Sequence, residues 1–206
     1  MREVEKKAQD SAIDVPQRDF KPSGTMRRPA AILVLVRLLE GEPNVLFIRR
    51  SQKVRNHKGQ ISFPGGSFDL EDVTLDVTAL REAQEELGIN PADLKILGAL
   101  PAADTIVSNF MVHPFVAIPH NPAQVLNFIP DGYEVGEIFH VPLPELLQPR
   151  AFTLETWRVG GHSRQMVFYT YRHYVIWGAT AFILHNFLGE IKQGHWQELF
   201  ELDKLV

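Results

Sequence analysis

Two stretches sit close together in the chain: Phe63-Pro64-Gly65-Gly66 and Arg81-Glu82-Ala83-Gln84-Glu85-Glu86-Leu87-Gly88-Ile89. The first reads as a strand exit, where glycine lets the backbone approach a ligand closely. The second reads as the end of a helix over Val73 to Leu87, with Gly88 as its left-handed cap and Pro91 just beyond. At 100° per residue, Val73, Val77, Leu80, Gln84 and Leu87 share one side, which predicts the buried face. Glu82, Glu85 and Glu86 fall together on the opposite side. Carboxylates spaced i, i+3 and i+4 repel, at a few tenths of a kcal/mol per pair, and a multivalent cation removes that cost. Oxygen ligands at this density favour a hard ion, Mg²⁺ or Mn²⁺, over zinc. Such ions complete their shells with water and substrate phosphates, so the helix points to phosphate chemistry. Arg81, one turn before Glu85, is placed to pair with it and fix its orientation. A Glu-Xaa-Xaa-Glu-Glu run alone is commonly a solvated helix face. The Pro-Gly-Gly exit just upstream favours a site instead.

Working outward, Ala30 to Val36 reads as a buried strand, and Val45 to Ile48 returns after the turn Glu40-Gly41-Glu42-Pro43-Asn44. Gln60 to Phe63, Leu94 to Leu100, Val112 to Ile118 and a short Ile138 to Val141 are further strands. Arg158-Val159-Gly160-Gly161-His162 reads as a hairpin turn between Phe152–Trp157 and Met166–Tyr171. Val175 to Leu188 is an apolar helical stretch. The pattern predicts a layered α/β or α+β domain. With 206 residues, 45% of them hydrophobic, one independent core is expected. Residues 1–28, interrupted by Pro16 and Pro22, read as a flexible tail, leaving one domain over 29–206.

No apolar run approaches the roughly 20 residues of a membrane-spanning helix. Met1 to Asp10 alternates charges without an apolar segment, so no secretory leader is expected. Cysteine is absent, which excludes disulfides, thiolate metal sites and Cys nucleophiles and suits a cytoplasmic protein. A net charge of −4 argues against general nucleic-acid binding. Against that balance, Arg49 to Lys58 holds five Lys/Arg residues and His57, a positive patch leading into the Pro-Gly-Gly exit. It is placed to receive a multiply phosphorylated anion. Arg55 and Lys58 are the expected phosphate contacts. Ser51 and Ser62 have no evident Asp/His relay for nucleophilic catalysis.

Arg81, Glu82, Ala83, Glu85, Glu86, Gly88 and Ile89 resemble the second half of the Nudix hydrolase box. Its first acidic position falls on Asp72 rather than Glu, and eight residues instead of seven precede Arg81. Ser51, Arg55, Gly59, Phe63, Pro64, Gly65 and Gly66 are similar to the coenzyme A pyrophosphatase signature within that family, whose Leu-Leu-Thr opening is Leu46-Phe47-Ile48 here. The resemblance implies an α/β/α sandwich with a mixed sheet. It also implies Mg²⁺- or Mn²⁺-dependent hydrolysis of the diphosphate of coenzyme A and its thioesters, giving 4′-phosphopantetheine, acylated or not, and adenosine 3′,5′-bisphosphate.

Glu82, Glu85 and Glu86 are then the expected metal ligands. Glu85, held by Arg81, would be a further ligand or the water-orienting base, and Glu134 and Glu137 are alternative bases. Arg55, Lys58, Gly59, Gly65 and Gly66 are the expected substrate-binding residues, joined by Thr105, Ser108 and Asn109 in the loop Asp104 to Phe110. Two other readings stand beside this one: a diphosphatase for another nucleoside diphosphate derivative, such as a nucleotide sugar or NADH, and a Nudix module that binds a nucleotide without turnover.

Overall fold

The computed structural model describes residues 27–105, 109–122, 124, 126–159 and 162–202. The first apolar run lies within β1 (Arg28–Leu39), which turns into β2 (Glu42–Arg50) with register Leu39↔Glu42. Glu40 and Gly41 both have positive φ, 52° and 81°, the type I′ geometry that matches strand twist. Beyond this hairpin, β1 pairs antiparallel with β4 (Gly65–Ser67) and parallel with β7 (Phe110–Pro119). β2 pairs antiparallel with β3 (Ile61–Ser62) and β8 (Val135–Pro142). On the far side, β7 carries β5 (Leu94–Ala99) and β6 (Ala103–Asp104), both antiparallel. The sheet is therefore mixed.

Two-residue alternation sends side chains to opposite faces of this sheet. Leu33, Leu35, Leu46 and Ile48 pack with Ala79, Ala83 and Leu87 of α1 (Leu75–Leu87). Val34, Val36, Val45 and Phe47 share the other core with Ile183, Leu184, Phe187 and Leu188 of α3 (Gly178–Lys192). One helix thus covers each face, the expected α/β/α arrangement. The short α2 (Leu143–Leu146) follows β8 directly.

Several expectations needed correction. The segment read as a short strand at Ile138 to Val141 is eight residues long, because β8 pairs with nearly all of β2. The hairpin around residue 160 is present as read, with longer strands. β9 (Phe152–Val159), β10 (His162–Tyr171) and β11 (Tyr174–Trp177) form a separate antiparallel sheet, and Gly160 and Gly161 lie outside the described residues. The final helix starts at Gly178, since Tyr174–Trp177 is strand.

The buried face of α1 also differs from the wheel. Val73 precedes the helix and is 87% exposed, Val77 is 40% exposed, and the buried positions are Thr78, Ala79, Ala83, Glu86 and Leu87. Small alanines let the helix lie close on β1, and the two polar residues are buried because each has a partner. Among the described residues, no helix is long and apolar enough to cross a membrane.

Candidate active site

The Pro64-Gly65-Gly66 segment is held against β1 by the Leu33 amide, which donates to the Pro64 carbonyl at 2.9 Å, and by the register Ala31↔Gly66 and Ile32↔Gly65. Gly65 has φ +148°, and a Cβ there would collide with the Ala31 carbonyl. A Cβ on Gly66 would fall 2.5–2.6 Å from the Glu82 carboxylate. Both positions therefore require glycine for close approach. The Gly65 amide donates to Glu86 Oε2 at 2.9 Å. The strand exit and the helix face predicted from sequence are thus in direct contact, with Glu82 and Glu86 both turned toward the two glycines.

Glu85 departs from this pair. Its side chain is 58% exposed and accepts from Arg81 Nη1 at 3.1 Å, as the i, i+4 spacing predicts. Arg81 has a stronger partner, however. Its Nε and Nη2 grip the two oxygens of Asp72 at 3.0 Å each, Nη1 lies 3.0 Å from Glu82, and Nη2 also donates to the Ser67 carbonyl. The buried Asp72 also accepts from the Thr78 hydroxyl at 2.9 Å and the Asp69 amide. The Arg81 guanidinium hydrogen bonds hold its carboxyl down at about 2, and this pairing raises the Arg81 pKa further. The acidic position that departs from the box is therefore the anchor of Arg81.

Two site residues come from the end of β2 and the turn just before β8, which sequence spacing could not join. Arg50 reaches Glu134 Oε2 at 3.1 Å and Glu86 Oε1 at 3.9 Å. Among the described residues its buried Nε has no hydrogen-bond partner, an N–H donor left over beside the carboxylates. Burial, foremost, raises the Glu86 pKa to about 8, and the charges of Glu82 and Glu134 add to it. Glu82 is raised as well, by burial and then by its acidic neighbours against the opposing pull of Arg81. Of the two alternative bases, Glu134 is the one brought to this cluster. Glu137 lies on the opposite face of the sheet, accepting from the Tyr174 hydroxyl at 2.6 Å and pairing with Arg49 at 3.3 Å.

Glu82 and Glu86, with Glu134 across Arg50, offer only oxygen donors, and a hard divalent ion would relieve the repulsion among them, so the donor chemistry fits Mg²⁺ or Mn²⁺. Among the described residues no three acidic or His side chains close into a cage. Such a shell leaves positions for water and phosphate oxygens, as Mg²⁺ sites commonly do. The basic loop runs beside this set. The Arg50 amide donates to the Gln60 carbonyl at 2.9 Å, and the Gly59 amide donates to the Arg50 carbonyl at 3.0 Å. Gly59 adopts φ +68°, and Arg55 and Lys58 are exposed. Thr105 folds its hydroxyl back onto the Phe110 backbone, and Ser108 lies outside the described residues.

Comparison with known proteins agrees with this arrangement. Residues 26–160 match the NUDIX domain family. A protein of Citrobacter koseri named "Uncharacterized Nudix hydrolase NudL" is 40% identical over 162 residues, covering 78% of this chain and 81% of that one. A protein of the same name from Cronobacter sakazakii is 39% identical over 167 residues, covering 80% and 83%. The MutT/nudix family protein of Enterococcus faecalis superposes with a TM-score of 0.53 over 97% of this chain and 73% of that one, at 14% identity, a likeness of fold. Nudix hydrolases generally use divalent metals such as Mg²⁺ or Mn²⁺. With Glu82 and Glu86 of its box set against the Gly65–Gly66 exit and a domain match over most of its length, this chain belongs to the Nudix hydrolase family.

Proposed function

We propose that the protein hydrolyses the diphosphate of coenzyme A and its thioesters, giving 4′-phosphopantetheine or its acyl derivative and adenosine 3′,5′-bisphosphate. The observation that carries this reading is the continuity of Arg50 to Gly66. One segment supplies Arg50 to the carboxylates, exposes Arg55 and Lys58, and ends on the glycines that seat Glu82 and Glu86. A diphosphate with a further phosphate a few ångströms away suits a site that places cations beside an ion-binding carboxylate set.

Glu82 and Glu86 would hold the divalent ion, which would supply charge neutralisation of the diphosphate and a more acidic attacking water. Arg50, with its guanidinium against Glu86 and Glu134, would add positive charge beside the bound phosphates. Arg81, clamped by Asp72, fixes Glu82 and Glu85 in place. Glu134, on a turn rather than on the helix, is the carboxylate best placed to hold the water and take its proton.

The test is turnover of coenzyme A with Mg²⁺ and Mn²⁺ in ¹⁸O water, with NADH and a nucleotide sugar alongside. Mass spectrometry of the products identifies both the bond cleaved and the phosphorus attacked. Glu82→Gln and Glu86→Gln are each expected to lower kcat by at least about a hundredfold, and near-normal turnover removes that residue from the mechanism. Arg55→Ala is expected to weaken use of coenzyme A more than dephospho-coenzyme A. Equal losses would take the 3′-phosphate away from Arg55.

A further inference from the structure

Lys53 sits in the basic loop but does not direct its ammonium outward toward a substrate. Its Nζ donates to the Gly132 carbonyl at 2.7 Å, and its amide donates to the Ser51 hydroxyl at 3.1 Å. The Ser51 amide in turn donates to the Glu134 carbonyl at 2.7 Å. Across this gap the turn 131–134 is braced from within, because the Asp131 carboxylate accepts from the amides of Glu134 and Val135 at 2.8–3.0 Å. Gly132 takes φ +71° to make that turn. On its other side the turn is tied to the end of α1. The Ile129 amide donates to the Leu87 carbonyl at 2.8 Å, and the Asp131 amide to the Glu86 carbonyl at 3.3 Å. Gly136 allows β8 to pass the Ser51 backbone closely, since a Cβ there would lie 3.2 Å from the Ser51 Cα. The turn carrying Glu134 is thus a bridge between the basic loop and the carboxylate helix, and Lys53, which grips its backbone, is a side-chain tie to the loop beside the Arg50–Glu134 ion pair.

We propose that Lys53 is a positioning residue that couples occupancy of the basic loop to the placement of Glu134 against Glu82 and Glu86. The inference rests on the reading of that loop as a phosphate site and adds to it a route by which bound phosphate orders the acidic turn. Anion binding at Arg55 and Lys58 fixes the loop. A fixed loop holds the Gly132 carbonyl through Lys53, and the braced turn then presents Glu134 in one place. Coupling of this kind is reciprocal, so ordering the turn also favours the bound loop.

Hydrogen exchange read by mass spectrometry, with adenosine 3′,5′-bisphosphate as the probe, tests this without turnover. In the wild type the probe is expected to protect amides in residues 53–60 and also in 131–135. In Lys53→Met, protection at 53–60 should persist while that at 131–135 is lost, and Lys53→Arg should restore it. Protection of both segments in Lys53→Met overturns the coupling, as does protection of 53–60 alone in the wild type. No protection of 53–60 in the wild type overturns the phosphate reading of the loop and the coupling with it.

Kinetics supply the second arm, with whichever diphosphate the enzyme turns over. Lys53→Met is expected to lower kcat about tenfold with KM little changed, and to cost nothing further in a Glu134→Gln background. A raised KM at normal kcat would make Lys53 a substrate contact and overturn the proposal. Equal losses in both backgrounds would do the same.

Discussion

Asp72 shows how one side chain can organise a site without entering it. It is buried, and it makes a two-pronged contact with Arg81 that leaves Nη1 for Glu82 and Glu85. A carboxyl held at about 2 against 3.8 in the unfolded chain contributes stability that is present above pH 3.8 and lost as pH falls through 2. Asp72→Asn should therefore destabilise by about 2 kcal/mol at pH 7, measured by urea denaturation, with the difference from wild type shrinking toward pH 2. The variant should also lose turnover, since Arg81 is freed.

His140 makes an independent residue-scale case on the same face of the sheet. Its Nε2 is buried without a partner among the described residues, its ring lies 5.6 Å from Phe128, and the Arg37 guanidinium lies over that same phenyl ring. Burial, reinforced by the Arg37 charge, lowers its pKa to about 4. Neutral His140 thus contributes stability above pH 6.5 that is lost as pH falls through 4. His140→Phe should be more stable than wild type at pH 5, relative to pH 7, by about 2 kcal/mol. Equal pH slopes in the two proteins would remove His140 from the acid response. Nothing in the run of sequence around His140 marked it, because its neighbours Arg37 and Phe128 are distant in the chain.

At the scale of elements, α1 was legible where local rules govern it and illegible where packing does. Its end was readable, since Gly88 takes φ +71° with its amide on the Gln84 carbonyl. So was the proximity of the acidic face to the Pro64–Gly66 exit. The buried face was not, because hydrophobicity ranks Val73 and Val77 above Ala79 and Ala83, whereas closeness to β1 selects for small side chains. Ala79 and Ala83 have no exposure at all. Ala83→Leu should therefore cost about 1–3 kcal/mol in urea denaturation through overpacking, while Val77→Ala should cost little. A neutral Ala83→Leu would mean that α1 has slack against the sheet.

Arg50 and Glu134 were illegible as partners for a different reason. The chain visits them 84 residues apart, and only the β2–β8 register, Arg50↔Val135, sets them side by side. The same alternation separates Glu134 from Glu137, two residues that sequence alone left equivalent. A register shift between Arg49 and Arg50 helps send their side chains to different environments.

For the whole molecule, the consequence of this layering is that folding, proton binding and ion binding are linked through Glu86. The sheet and α1 bury this carboxyl, with one backbone donor and a guanidinium 3.9 Å away as compensation. In the ion-free protein its pKa of about 8 exceeds the unfolded 4.5, so the folded state holds the extra proton between those values. The sign follows: Glu86 favours folding fully below pH 4.5, and that contribution is lost as pH rises through 8. Without divalent ions, stability should fall by several kcal/mol over that interval, and Glu86→Gln, which mimics the neutral acid, should flatten the slope. Mg²⁺ or Mn²⁺ should act in the opposite sense, binding the ionised form more tightly at high pH and displacing the proton. At an ion concentration one hundred times the dissociation constant the gain is about 2.7 kcal/mol. Thermal melts from pH 5 to 9, with EDTA and with Mg²⁺, should therefore diverge as pH rises in the wild type and run together in Glu86→Gln. Parallel curves in the wild type would mean that the ion and the Glu86 proton do not compete, and would remove Glu86 from the ion's shell while leaving its place in the core unchanged.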